Sequence, residues 1–253
     1  MIALEITMWD LTLMGIAYLY VVIIISIGEL LRKKLNYSIS FTRKLIHLFA
    51  GFSAYIIPFQ DNPWSATIVA ITFVILLYFS SPNSPIKVLS RWFETMADRE
   101  DELSAGHIMG PVYYSISITV LVALFTFILP VEYSFTAAAG LTAMYLGDGL
   151  GTTIGLRYGK HKYRAPTGGT RSLEGSLAVF VGSFVGAMIA IVVFGMIGFS
   201  VVTINDAIVL SLIAAIVATI VEAMSPSLYD NFTVPLITTL AVYISAMYLG
   251  IIV

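Results

Sequence analysis

The sequence predicts an all-α, polytopic membrane bundle, and three observations predict it. Apolar residues make up 58% of the 253 residues and charged residues 11%, against roughly 45–50% and about 25% in soluble globular domains. The apolar residues are gathered into long runs, most of them close to the roughly 20 residues a helix needs to cross a bilayer. All 13 Lys and Arg residues fall in alternate connections between those runs, or at a helix end beside them.

Taken in order, hydropathy places eight candidate spans at about 8–31, 44–60, 63–80, 106–130, 135–156, 173–199, 206–224 and 232–252. The first is longer than the apolar stretch of a signal peptide and has no small-residue cleavage site after it, so it reads as a retained helix. The second is short and carries His47, so it tilts or packs inside the bundle. Short polar breaks (Gln60 to Pro63, Pro130 to Glu132, Asn205-Asp206) separate spans on one side. Longer connections at about 32–43, 81–105, 157–172 and 225–231 lie on the other. The cations Arg32, Lys33, Lys34, Arg43, Lys44, Lys87, Arg91, Arg99, Arg157, Lys160, Lys162, Arg164 and Arg171 belong to the second set. Under the positive-inside rule that face is cytoplasmic, both termini lie outside and the span count is even, about eight. No internal repeat, low-complexity tract or linker interrupts the pattern, so 1–253 reads as a single integral-membrane domain.

The chain has no cysteine, which excludes thiol catalysis, disulfides and thiolate metal sites. The net charge of −2 says little about partners, because in a membrane protein the distribution of charge matters more than its sum. No nucleic-acid partner is expected.

Asp148 carries the functional reading. A carboxylate inside an apolar segment costs about 2.5–3.5 kcal/mol on insertion scales, so such a residue faces a protein interior or a polar cavity. It lies nine residues before Arg157, roughly 13 Å along a helix, among Gly147, Gly149, Gly151 and Gly155. With Thr152 one turn on, it can face a cation; a small-residue packing face with a buried Asp is the alternative. The connection that follows holds Lys160, His161, Lys162, Arg164 and Arg171 with Gly159, Gly168 and Gly169. It leads into Ser172, Glu174, Gly175 and Ser176 at the start of the sixth span, where backbone N–H groups and hydroxyls form an anion site. Ser172 can instead cap that helix, and Glu174 can simply complement its dipole. No G-x-x-x-x-G-K-[ST] loop is present; the nearest text, Gly155 to His161, has the wrong spacing.

Arg43, Lys44 and His47 share one face at the start of the second span and suit a polyphosphate. Glu222, near the end of the seventh span, is followed by a turn with Ser225, Ser227, Asp230 and Asn231, hard oxygen ligands of the kind that Mg²⁺ takes together with substrate phosphates. The stretch Asp98 to Glu102, with Arg99 and Glu102, reads mainly as solvated surface, and Glu29 as a minor candidate. The inferred topology brings all these groups to one face of the membrane.

Four segments, RKLIHLFAG at Arg43 to Gly51, GDGLGTTIGLRYGKHK at Gly147 to Lys162, TRSLEGSLAVF at Thr170 to Phe180 and EAMSPSLYDNFTVPL at Glu222 to Leu236, together resemble the family of dolichol kinase, phytol kinase and CTP-dependent diacylglycerol kinase. The resemblance runs from the second span onward, with a motif core at about 43–236, and that family is itself similar to CDP-diglyceride synthases. It implies transfer of the terminal phosphoryl group of CTP to a long-chain lipid alcohol, assisted by Mg²⁺, at the cytoplasmic membrane surface. The implied catalytic positions are Asp148, Lys160, Arg171, Ser172, Glu174, Glu222 and Asp230. The implied nucleotide-binding positions are Arg43, Lys44, His47, Gly147, Gly159, Gly175, Ser176 and Asn231, with Asp148, Glu222 and Asp230 on the metal. Arg171 stands where relatives often have Lys, and its fork can still hold a phosphate. The alternatives are a cytidylyltransferase making a CDP-lipid and, more distantly, a transporter. A compact, cysteine-free chain fits a prokaryotic cell membrane.

Overall fold

The chain's first helix, α1 (Met8–Leu35), starts where Thr7 and Asp10 form a reciprocal capping box. The computed structural model describes residues 5–97, 103, 106, 108–198, 202–226 and 229–252. The stretch 98–102, with Arg99 and Glu102, and residues Ser227 and Leu228 of the turn after Glu222 lie outside the described residues. Where the sequence reads as one domain, the chain divides into two compact units, Met1–Phe127 and Ile128–Val253. The boundary falls in a π-helical turn at Leu124–Ile128, just ahead of Pro130.

In the N-terminal unit, α1 is followed by α2 (Ile39–Ala50), which runs on as a 3-10 helix over Gly51–Phe59, then by α3 (Pro63–Tyr78), α4 (Lys87–Met96) and α5 (Met109–Ala123). Asp10 is fully buried, and its use is structural. It accepts from the Thr7 N–H at 3.0 Å and, across the unit, from the N–H groups of Asp61 at 3.0 Å and Asn62 at 3.1 Å. These bonds fasten the start of α1 to the start of α3, where Asn62 caps Trp64. The helix α4 lies in a connection predicted to be loop. It buries Leu89, Trp92, Phe93 and Met96 and exposes Lys87, Arg91 and Glu94, the one-sided pattern of an amphipathic helix. Glu29 pairs with Lys33 at 2.8 Å, and Glu94 lies 3.8 Å from the same ammonium. That is an exposed cluster of the kind worth little to stability, and it gives Glu29 a surface role.

The C-terminal unit consists of α6 (Ser134–Tyr158), a hairpin of β1 (Lys162–Arg164) and β2 (Thr170–Ser172), then α7 (Leu173–Met196), α8 (Ile204–Met224) and α9 (Asp230–Tyr248). The hairpin's two three-residue strands leave the unit helical, as the all-α expectation has it. Its strands pair antiparallel, Lys162 with Ser172 and Arg164 with Thr170, and the turn closes through Gly168, whose φ of +93° suits a residue without Cβ.

Five of the described helices are long and apolar enough to cross a membrane: α1, α5 with its extension to Ile128, α7, α8 and α9. The chain is an integral membrane protein. Three of the eight predicted spans fall short of that length or apolarity for local reasons. The second predicted span is not one α-helix, because it changes to 3-10 geometry at Gly51. Helix α3 has only 16 residues. Helix α6 is long, but it is diluted by glycine, threonine and Asp148, and its first half, 134–145, is buried throughout. A helix enclosed by protein has no lipid to face and can be built of small residues.

Small residues also set how closely α6 and α7 approach. A Cβ on Gly182 would stand 2.5 Å from the carbonyl oxygen of Leu146, and one on Gly175 would stand 3.2 Å from Gly155 Cα. The Ser183 hydroxyl donates to the Ala143 carbonyl at 2.9 Å. Because the atoms facing Gly182 are backbone, they cannot swing aside. Gly182→Ala is therefore expected to destabilise the protein by roughly 1–3 kcal/mol, read as a lower melting temperature in detergent. Ala at the half-buried Gly149, where a Cβ meets nothing within 4 Å, should leave the melting temperature unchanged or slightly higher.

Candidate active site in the C-terminal unit

The site begins where α6 ends. Past Tyr158 the chain turns at Gly159, where a Cβ would stand 2.6 Å from Ser172 Oγ, so the loop comes back against the start of α7. Glu174, in the first turn of α7, holds that loop. Its carboxylate accepts from the backbone N–H groups of Lys160 at 3.1 Å and His161 at 3.2 Å, and lies 2.6 Å from His161 Nδ1. Ser172 is the N-cap, accepting from Gly175 N–H at 3.1 Å, while Leu173 N–H donates to the His161 carbonyl at 2.9 Å. Two of the amides expected to form an anion site at this helix start are thus already used. Ser172 and Glu174 act on the loop and the helix end.

Arg171 does the corresponding work toward α8. Its guanidinium pairs with the Glu222 carboxylate, with the two side chains only 18% and 14% exposed, and its Nη2 donates to the Ser225 carbonyl at 3.1 Å. The Ser225 hydroxyl in turn lies 2.6 Å from that of Thr233 on α9, so β2, α8 and α9 are tied through a short polar chain. On the other strand, Tyr163 shares a 2.7 Å hydrogen bond with Ser176.

Two cavities result. The larger, about 890 Å³, is a polar groove lined by Lys162, Thr170, Arg171, Ser172, Ser176 and Glu222, with Gly151, Gly155, Gly159 and Gly175 among its floor. The smaller, about 250 Å³, is lined by Asp148, Glu222, Asp230 and Asn231 together with Met144, Ser183 and two valines. Glu222 lines both. Asp148 also accepts from the Thr152 hydroxyl at 3.2 Å, and Asn231 is buried.

The predicted residues therefore sort themselves. Arg171, Ser172, Ser176, Glu222, Gly159 and Gly175 meet in the groove, and Asp148, Glu222, Asp230 and Asn231 meet in the acid cavity. Lys160 is exposed and lines neither. The groove is instead lined by Lys162, which sits opposite Ser172 in the hairpin register. Gly147 makes room for the Ser183 side chain of α7 and serves packing. Arg43 and His47 line an apolar cavity of the N-terminal unit, and Lys44 is not among its lining residues. Among the described residues no three His, Asp or Glu side chains are gathered tightly enough to hold an ion by themselves; one of the three expected carboxylates, Glu222, is turned to Arg171.

These features define a polytopic membrane protein with a polar site sunk among its helices, cationic and hydroxyl-lined on one side and acidic on the other. No protein-family model matches the chain. It is, however, 30% identical over 240 residues to the phytol kinase of Synechocystis sp., with 93% of each chain covered. It is 27% identical over 217 residues to a probable chloroplastic phytol kinase of Triticum aestivum, covering 81% of this chain and 67% of that one. To the chloroplastic phytol kinase 1 of Arabidopsis thaliana it is 28% identical over 221 residues, covering 83% and 67%. The chain belongs to the phytol kinase family.

Proposed function

We propose that this protein transfers the terminal phosphoryl group of CTP to the hydroxyl of a long-chain lipid alcohol, of the phytol or polyprenol class, at the cytoplasmic side of a cell membrane. The observation that carries the reading is the double position of Glu222. It joins a groove of cations and hydroxyls, suited to phosphates, to a cavity of carboxylates, suited to a cation. The kinase names of the relatives point the same way, and CTP follows the resemblance of the four motif segments.

Phosphoryl transfer needs positioning and charge stabilisation more than covalent chemistry. In this reading Arg171 and Lys162 neutralise the phosphates, with the hydroxyls of Thr170 and Ser176 as further donors to phosphate oxygens. Asp148, Asp230 and Asn231 offer two carboxylates and an amide, a hard oxygen set that fits Mg²⁺ completed by substrate oxygens. When bound there, the ion would neutralise charge on the phosphates. The acceptor hydroxyl loses its proton to a carboxylate of the cavity and its oxygen bonds to the terminal phosphorus. The bond from that phosphorus to the bridging oxygen breaks, and CDP leaves with the electron pair.

Incubating the purified protein in detergent with CTP, Mg²⁺ and phytol should yield phytyl phosphate and CDP in equal amounts. Release of pyrophosphate, with CMP joined to a lipid phosphate, would replace this reading with that of a cytidylyltransferase. A panel of phytol, geranylgeraniol, polyprenols, dolichol and diacylglycerol, each with CTP and ATP, fixes the acceptor and the donor.

A further inference from the structure

The N-terminal unit contains a cavity that phosphate chemistry does not explain. It lies among α1, α2, α3 and α5 and comprises about 860 Å³ of space, part of it open to the surroundings. Its wall is almost wholly hydrocarbon, and Arg43 is its one charged lining residue. The polar groups are gathered at one end. Arg43 and His47 sit one turn apart on α2, His47 lies against the Tyr114 ring with centroids 3.8 Å apart, and the Tyr114 hydroxyl donates to the His47 carbonyl at 2.6 Å. From there the lining runs along α5 from Pro111 to Val122 and along α1 from Ile25 to Ala17. At 1.5 Å per residue, eleven residues of α5 span about 16 Å. An extended chain covers roughly 1.2 Å per bond, so the cavity matches about 13 bonds, of the order of a phytyl main chain.

A long apolar wall with a few polar groups at one end is the usual form of a site that buries a hydrocarbon and orients its head. The groups at this end suit the oxygen-bearing head of a lipid, for Arg43 offers donors only. We propose that this cavity binds the isoprenoid tail of the lipid alcohol, with Arg43 and His47 at its head and Ala17 at the far end setting the chain length accepted. The inference rests on the lipid-alcohol kinase reading for the identity of its occupant. It gives Arg43 and His47 a lipid in place of the polyphosphate expected from their spacing.

Two measurements test it. A phytol analogue carrying a diazirine in its tail, photolysed with the wild-type protein without nucleotide, should label lining residues such as Val21, Phe73 and Ile118. Excess phytol should compete the label away, and excess phospholipid should not. Labels confined to residues 128–253, or lost equally to phospholipid, would overturn the proposal. Second, Ala17→Phe shortens the far end, so kcat/KM for phytol should fall at least tenfold while that for the shorter alcohol geraniol changes less than twofold. Equal changes for both alcohols in a variant with wild-type melting temperature would overturn it; if that variant does not fold, Ala17→Leu and the photolabel carry the test. The two readings separate cleanly. Labelling in the cavity with no phosphoryl transfer to any alcohol removes the kinase reading and leaves the lipid site, whereas transfer with labels elsewhere removes the lipid site alone.

Discussion

Asp148→Asn is expected to lower kcat by a factor of at least about 10²–10³, the range lost when one well-placed electrostatic group is removed from an active site, while the melting temperature in detergent stays close to that of the native protein. The amide has nearly the shape of the carboxylate and can still accept from the Thr152 hydroxyl, which lies 3.2 Å from Asp148 Oδ1. It does not carry the charge. A carboxylate inside an apolar helix has an insertion cost of about 2.5–3.5 kcal/mol, so a purely structural Asp148 would be improved by the change. Stability held or raised together with collapsed turnover is the signature of a group kept for chemistry. The measurement is CDP release under saturating CTP and phytol, paired with a thermal melt. Turnover within tenfold of native would remove Asp148 from the mechanism and shift the cation to Asp230 and Glu222.

That Asp148, Arg171, Glu222 and Asp230 come to line two cavities sharing Glu222 was legible in the sequence, because charges at the ends of apolar runs, or within one, stand out against everything around them. That Lys162, and not Lys160, lines the groove was not. It depends on the connection folding as a hairpin, whose register puts Lys162 opposite Ser172, and a three-residue strand leaves no periodicity to read. Helix α4 was hidden for a related reason: its ten residues alternate between Trp92 or Phe93 and Arg91 or Glu94, so a hydropathy window averages them to loop. Asp10 gives no such signal, because a single acid at the end of a span looks like a solvated cap, although the N–H groups it satisfies belong to residues more than fifty positions away. The apolar cavity could not be read at all, since Ala17, Val21 and Phe73 have the same pattern whether their helices meet in contact or leave a gap. Motif spacing likewise could not tell that Ser172 caps α7 and that Glu174 holds the loop at Lys160 and His161.

The Arg171–Glu222 pair makes the second large prediction, because it serves both the fold and the chemistry. Arg171→Ala removes the cation that neutralises a carboxylate only 14% exposed and frees β2 from the Ser225 carbonyl. Leaving one partner of a fully buried pair costs 3–5 kcal/mol, and with both groups retaining some contact with water the expected loss is about 1–3 kcal/mol. Phosphate binding should suffer too, with kcat/KM for CTP falling about 10²–10³-fold. The two losses come apart in the double variant Arg171→Ala with Glu222→Ala. Removing both charges leaves none unpaired, so the melting temperature should recover most of its fall while kcat/KM does not recover. Arg171→Lys should keep the charge and most of the stability but lose roughly tenfold in kcat/KM, since a point charge cannot reach Glu222 and the Ser225 carbonyl from one fixed fork as Arg171 does, nor hold a phosphate through two parallel N–H bonds. If the double variant regained activity along with stability, Arg171 would be a strut for the hairpin, and Lys162 alone would remain to meet the triphosphate.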